Sequence, residues 1–296
     1  MPDDNRITIP NTLKDTYSFE EIINLREKLF SENISHIDMS RVGFIEPYSM
    51  VSFAILGREY LRNTGKKLTL VNIPLNINQY LYRMDFFKTG IFENTDKLDP
   101  KYYFKRSSLS KSVIEITEIP GKERESIRVI SDVIATFRKR ADNILKYWLF
   151  GSIVDYFVTV ISEICQNIFE HSIDSGFLAM QTYSYSSEHI VRLVISDSGV
   201  GIRESFTGKK EISVDSTASL IEKVLTTPLS SKRDFGYGLC QVNTIVEKLG
   251  GSIYIRSDDA SVSVVHNKKY NSTTKTFQKT NLAPFPGTQL SVTLTT

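Results

Sequence analysis

Short apolar runs alternate with stretches in which apolar residues recur every three or four positions, and the alternation marks out the elements. In residues 1–95, "SHIDMSRVGFI" reads as a buried strand and "PYSMVSFAILGREYLRNTG" as an amphipathic helix ending at Gly65. "KKLTLVNIP" follows as a second strand, and "NINQYLYRMDFFKTG" as a helix stopped by Gly90. Strands alternating with helices predict a small α/β layer domain. Residues 96–111 are polar and charged, and they form the expected linker. From residue 112 the pattern changes. A strand, "SVIEITEI", precedes two long helical patterns within 124–149 and 152–172. Two strands come next, "FLAMQTYSYS" and "HIVRLVISDSG", then a polar stretch with helical potential over 203–235. A helix, "YGLCQVNTIVEKLGG", and strand-like "GSIYIRSD", "SVSVVHN" and "TQLSVTLTT" close the chain. Helices clustered before strands predict an α/β sandwich over 112–296, with helices on one face of a mixed sheet.

One stretch inside the second long helix breaks the apolar rule. In "SEICQNIFEHS", Glu163, Asn167 and His171 stand four residues apart. Four residues advance about 400° around a helix, so the three side chains form one slanted polar row. Ile161, Ile164, Ile168 and Phe169 occupy other parts of the helix and suit a core. A polar row beside an apolar stripe is either a solvated face or the wall of a pocket.

Composition narrows the partners. The chain has 296 residues, 41% hydrophobic and 24% charged, which is the profile of a folded protein with room for two domains. Net charge is +2, from 36 basic and 34 acidic residues, so no nucleic-acid or membrane-surface partner is expected. Cys165 and Cys240 lie far apart in predicted helices and fit reduced thiols. No apolar run approaches the ~20 residues that span a bilayer, and "MPDDNRITIPNT" lacks a signal-peptide core. A cytoplasmic location is the expectation.

Three later segments place glycine where a pocket needs it. "SDSGVGI" sets Asp197, Gly199 and Gly201 just past a strand end, "FGYGL" sets Gly236 and Gly238 before a helix, and "PGTQL" sets Gly287 and Thr288 at the start of the last strand. Glycine allows positive φ and close backbone approach to a ligand. A helix N-terminus after glycines offers free N–H groups to phosphate. A carboxylate at a strand end can accept from an exocyclic amine. Each piece alone is a common turn or a solvated face.

In this order, however, ExxxNxxxH, DSGVGI, GYGL and GT resemble the GHKL superfamily of ATP-binding domains, over residues 107–296 or about two thirds of the chain. The resemblance implies ATP and Mg²⁺ as ligands. It implies that Asn167 coordinates the metal, that Glu163 orients or deprotonates the attacking nucleophile, and that Asp197 accepts from the adenine amino group with Thr288 in support. Gly199 and Gly201 would belong to the same adenine-binding segment, Gly201 letting the backbone pass under the base. Gly236, Tyr237, Gly238 and Leu239 would offer N–H groups to the phosphates. Residues 203–235 would be a mobile lid from which Ser231, Lys232 and Arg233 could reach the γ-phosphate. His171 could line the phosphate side or simply interact with the helix dipole.

The branch of the superfamily follows from what the chain carries. Its four histidines, His36, His171, His189 and His266, all lie outside the helical pattern "RESIRVISDVIATFRKRADNILKYW", so histidine autophosphorylation is not expected. The histidine at the ninth position of the motif and the short nucleotide domain resemble anti-sigma-factor serine kinases. Residues 1–95 resemble STAS domains, the fold of anti-anti-sigma factors. Those factors carry Asp-Ser-Ser-Gly with a phosphoacceptor serine, whereas here the stretch reads Glu46-Pro47-Tyr48-Ser49. The acceptor position falls on Tyr48, which favours a docking or dimerisation module over a phosphorylated one and leaves Ser49 as a minor acceptor candidate. The functions implied are an ATP-dependent serine/threonine kinase acting on a protein partner, with a STAS-type protein as the candidate, an ATPase conformational switch, or a non-catalytic nucleotide sensor or scaffold. A symmetric homodimer is the default oligomer.

Overall fold

The computed structural model describes residues 6–13, 16–99, 101, 112–121, 127–149, 151–171, 175–185, 188–207, 216–229, 238–267 and 273–295. The chain divides into two compact units, Met1–Leu109 and Ser110–Thr296. Among the described residues no helix is long and apolar enough to cross a membrane.

The first unit runs β1 (Arg6–Thr8), β2 (Thr12–Leu13), α1 (Thr16–Asn24), α2 (Arg26–Ser31), β3 (His36–Asp38), β4 (Phe44–Ile45), α3 (Pro47–Thr64), β5 (Leu68–Val71), α4 (Leu75–Arg83), a 3₁₀ turn (Phe86–Thr89) and β6 (Phe92–Asn94). Strands β1, β3, β5 and β6 form a parallel sheet in that order, and β2 pairs with β4. "SHIDMSRVGFI" is therefore two strands rather than one. A turn separates them, closed by Ser40 N–H donating to Asp38 Oδ1 at 2.8 Å and Val42 N–H to Met39 O at 2.9 Å.

Helix α3 carries Pro at its first turn and stops at Gly65, whose φ of 69° is the left-handed cap expected there. It is not amphipathic: every residue from Pro47 to Tyr60 is buried. Phe92 packs against Gly57, where an added Cβ would meet the ring at 2.3 Å. Phe92 in turn stacks on Phe53 at 5.0 Å and on Phe86 at 4.8 Å. Glu59 takes both branches of the Arg26 guanidinium, with Nε to Oε2 at 2.7 Å, tying α2 to α3. The helix predicted to run to Gly90 ends at Arg83 instead, because Asp85 turns into the left-handed region (φ 62°) and a 3₁₀ turn follows.

The second unit runs β7 (Val113–Pro120), α5 (Ile127–Leu145), α6 (Gly151–His171), β8 (Ser175–Tyr185), β9 (Glu188–Asp197), α7 (Gly201–Ser205), α8 (Thr217–Thr226), α9 (Gly238–Leu249), β10 (Gly251–Asp258), β11 (Ala260–Asn267), β12 (Thr273–Lys279) and β13 (Phe285–Thr295). Its seven strands lie in the order β12-β11-β10-β13-β9-β8-β7. The α/β sandwich is present, but among the described residues every pairing in this sheet is antiparallel, so it is not mixed there. The reason is β13. The helical excursion from β9 to β10 leaves those two strands parallel in direction, and β13 enters between them and pairs antiparallel with both. Apolar residues of α5, α6, α8 and α9 share one core with Leu178, Met180, Leu193, Ile195, Ile253, Ile255, Leu290 and Val292 of the sheet. Arg140 of α5 bridges Glu115 of β7 at 2.6 Å and also donates to Val113 O at 3.1 Å.

Strand β12, "TTKTFQK", escapes the sequence reading. All its residues are exposed, and it has no apolar alternation to announce it.

Gly57→Ala should lower stability by about 1–3 kcal/mol, because overpacking against Phe92 outweighs the gain in helix propensity. Thermal unfolding checks this, and an unchanged or raised midpoint would contradict the close contact.

Candidate functional site

The site begins where β9 runs out of sheet. Asp197 is its last residue, and its half-buried carboxylate is gripped by two backbone donors. Gly199 N–H donates to Oδ1 at 2.7 Å and Thr288 N–H to Oδ2 at 3.2 Å. Burial pushes this carboxyl up to about 6, and the two N–H groups pull against that rise. Thr288 thus supports Asp197 directly, through its backbone.

Three strand and helix ends are knotted around this carboxylate. Ser257, at the end of β10, is fully buried. Its Oγ accepts from Ile202 N–H at 2.8 Å, at the start of α7, and donates to Gly287 O at 3.1 Å, on β13. Gly287 adopts φ 70°, and a Cβ there would fall 2.0 Å from Asp197 O. Gly201 adopts φ 81°, and a Cβ would fall 2.8 Å from Ser257 Oγ. Both positions therefore need glycine, for backbone conformation and for space. Ser257 was not legible as a site residue: it is one serine in an alternating strand, and only the bulge where β10 leaves its register with β13 turns it to this use.

Helix α6 supplies the second wall. Val154, Phe157, Val160, Ile161, Ile164, Cys165 and Ile168 are buried, while Glu163 and Asn167 are exposed. Glu163 and Asn167 of the polar row therefore face away from the core, as their spacing demands. Ile168 rests on Gly176 of β8, where a Cβ would meet its Cγ2 at 2.6 Å, and Gly176 is the register partner of Asp197. Gly176, also missed in the sequence, lets α6 close onto the sheet beside the carboxylate. Further along, Gly238 at the start of α9 faces Ile164 of α6, with Cγ1 3.5 Å from an added Cβ. Tyr156, two helical turns before Glu163, has its hydroxyl raised by burial and then by the nearby Cys240 of α9 and Glu163. The exposed Glu163 face thus lies beside the first turn of α9, which carries Gly238 and Leu239. Cys165, by contrast, is enclosed in the core, its thiol pushed up to about 12 by burial.

The structure thus gathers Asp197, Gly199, Gly201 and Thr288 into one cluster and sets Glu163 and Asn167 on the adjoining helix. Ser231, Lys232, Arg233, Gly236 and Tyr237, and the side chain of His171, lie outside the described residues. The lid expected over 203–235 needs correction at α8, the part of it that the described residues test. Within it, α8 buries Thr217, Ala218, Leu220, Ile221, Val224 and Leu225. Asn243 of α9 donates to Leu225 O at 3.2 Å and meets His266 Nε2 at 3.0 Å, so α8 is fastened to α9 and β11. A helix packed into the core on this scale is scaffold and not lid.

Gly287→Ala should cost several kcal/mol, since it adds a positive-φ strain to a backbone clash at 2.0 Å. Thermal unfolding would show it as a large drop in midpoint, and a wild-type midpoint would refute the close packing of β13 on Asp197.

Comparison with known proteins bears on the same stretch. No curated protein matches the chain. Residues 153–279 match the family model described as histidine kinase-, DNA gyrase B-, and HSP90-like ATPase. The match runs from the start of α6 to the end of β12 and takes in Glu163, Asn167, Asp197, Gly201 and Gly238. That match and this geometry agree on the same stretch: residues 153–279 are similar to the GHKL-type ATPase domain, within the second unit.

Proposed function

We propose that the chain is an ATP-dependent serine/threonine kinase of the anti-sigma type that phosphorylates a protein partner. The observation that carries the nucleotide part is the Asp197 carboxylate, pinned by Gly199 and Thr288 at the end of the sheet. In this reading Asp197 accepts from the adenine amino group. Gly199 and Gly201 shape the turn beneath the base, and the start of α9, Gly238 and Leu239 after Gly236 and Tyr237, offers N–H groups to the phosphates. Lys232 would approach the γ-phosphate.

The donor set also fits magnesium. Among the described residues no group of three His, Cys, Asp or Glu side chains could hold a metal. Asn167, exposed on α6, would hold Mg²⁺ through its amide oxygen, a donor that suits a hard cation that keeps several waters. When bound it neutralises charge on the phosphates. The exposed Glu163, one turn earlier, receives the proton of the partner's hydroxyl as that oxygen bonds to the γ-phosphorus. The bond from the γ-phosphorus to the bridging oxygen breaks and ADP leaves. Such transfer needs mainly positioning and charge neutralisation.

The first unit is read as a STAS-like docking module and not as a phosphoacceptor. Tyr48 is 4% exposed and Ser49 fully buried, both within α3, where a kinase could not reach them. A partner of STAS type remains the substrate class. An ATPase switch driven by closure of 203–235 is the weaker reading, because α8 already belongs to the core.

Incubation with γ-labelled ATP and Mg²⁺ tests the proposal. The chain alone should release phosphate slowly, and label should move to a serine or threonine of a STAS-type partner. Glu163→Ala should retain ATP and lose transfer by about 10²–10⁴-fold. Rapid phosphate release without a partner would contradict the kinase reading.

The raised Asp197 carboxyl also sets a pH dependence. Its acceptor form is lost as pH falls through about 6, so ATP affinity should weaken below that point, by up to tenfold per pH unit. Asp197→Asn should bind more weakly at neutral pH and lack this inflection. An inflection surviving in Asp197→Asn would assign it elsewhere.

A further inference from the structure

The sheet of the second unit ends, among the described residues, at β12, and this edge has a chemistry of its own. From Ala260 to Thr296 the chain contains no Asp or Glu, yet it carries Lys268, Lys269, Lys275 and Lys279. All seven residues of β12 are exposed, and Phe277 is 55% exposed at the centre of the second half of the strand. The strand is nevertheless firmly held. It pairs with β11 along its whole length, from Asn267 opposite Thr273 to Ser261 opposite Lys279.

Two side chains pin it from the helix side. Thr274 Oγ1 meets His266 Nδ1 at 3.0 Å, and Gln278 donates to Glu222 of α8. Because His266 also contacts Asn243 of α9, Thr274, Thr276 and Gln278 share the helix-covered face. Alternation then sends Lys275, Phe277 and Lys279 to the other face, over Val265, Ser263 and Ser261 of β11.

Lysines on an edge strand normally guard against edge-to-edge aggregation. Here they repel a basic strand, and they repel a second copy, which would bring four lysines onto one face. They do not repel an acidic strand. An edge kept only as a guard would have no use for an exposed Phe277 between the lysines. The preformed seven-residue ladder has its ordering cost already met, and its outer backbone groups suit strand addition.

We propose that the outer edge of β12 docks an extended acidic segment of a protein partner, which adds an eighth strand to the sheet. The segment places acidic side chains opposite Lys275 and Lys279 and an apolar one opposite Phe277, giving the pattern acidic-x-apolar-x-acidic. This surface is separate from the Asp197 site, so it stands or falls independently of the kinase reading.

The test uses the full chain and fluorescein-labelled peptides followed by anisotropy. Thr-Glu-Thr-Val-Thr-Glu-Thr should bind saturably and about tenfold or more tighter than Thr-Lys-Thr-Val-Thr-Lys-Thr, since two opposed charge pairs are exchanged for repulsions. Lys275→Glu with Lys279→Glu should reverse that preference. Phe277→Ala should weaken the acidic peptide several-fold. Alternate backbone N-methylation of the acidic peptide, which removes ladder donors, should abolish binding. Circular dichroism and ATP binding, unaffected in these variants, verify that they fold. No saturable binding of the acidic peptide would overturn the proposal, as would equal binding of both peptides. Undiminished binding after N-methylation, or displacement by oligothymidine with equal affinity, would do the same. A dimer dissociated by Phe277→Ala in a chain that ignores the peptide would assign the edge to a second copy and also overturn it.

Discussion

The entry of β13 between β9 and β10 is the constraint on which the second unit depends. Strands β9 and β10 point the same way and are joined by a connection that includes α7, α8 and α9, so alone they would leave a gap or pair in parallel. The last strand fills that gap with antiparallel bonds to both neighbours. It also delivers Gly287 and Thr288 to the end of β9. The Asp197 carboxylate, the Thr288 amide, the Ser257 hydroxyl and the first turn of α7 then meet at one place because three strand ends do. The two positive-φ glycines mark where the backbones come closer than any side chain allows. Holding an acid there opposes its ionisation, which is why Asp197 titrates high. A carboxylate that has exchanged water for two backbone donors is also well placed to read a further donor on a ligand.

Helix α6 turns the same economy to the other side of the site. Its apolar stripe is buried in the core shared with the sheet, and that burial holds the helix in place. Glu163 and Asn167 are thereby free of structural duty and remain exposed. Ile168 on Gly176 and Ile164 against Gly238 set that row beside both the Asp197 strand and the start of α9. Packing in the core therefore determines where the chemistry can occur, although no core residue takes part in it.

Much of this was legible in the residues. The period of α6 separated Glu163 and Asn167 from their apolar neighbours correctly, and Gly65 ended α3 through a left-handed cap. The glycine segments identified the loops that surround Asp197. What failed to show had physical causes. Strand β12 has no buried face, so it lacks the alternation by which strands are recognised. The sequence of α8, "STASLIEKVLTT", carries a Ser216 cap and apolar residues at helical spacing, and its region reads as helical; the lid expected there comes from the family resemblance, which does not tell a packed helix from a mobile one. Antiparallel pairing throughout the sheet and the role of Ser257 depend on how distant strand ends meet, which no local pattern encodes.

Competition between ATP and GTP for the full chain tests the central claim most directly. An acceptor at Asp197 that reads an exocyclic amino group should favour adenine, because guanine would set its carbonyl oxygen against the carboxylate. Wild type should prefer ATP by about 10²-fold or more, since a buried polar group left unpaired is strongly penalised, and Asp197→Asn should narrow the gap. Equal affinity for the two nucleotides, or a preference unchanged in Asp197→Asn, would contradict the assignment of Asp197 to the base.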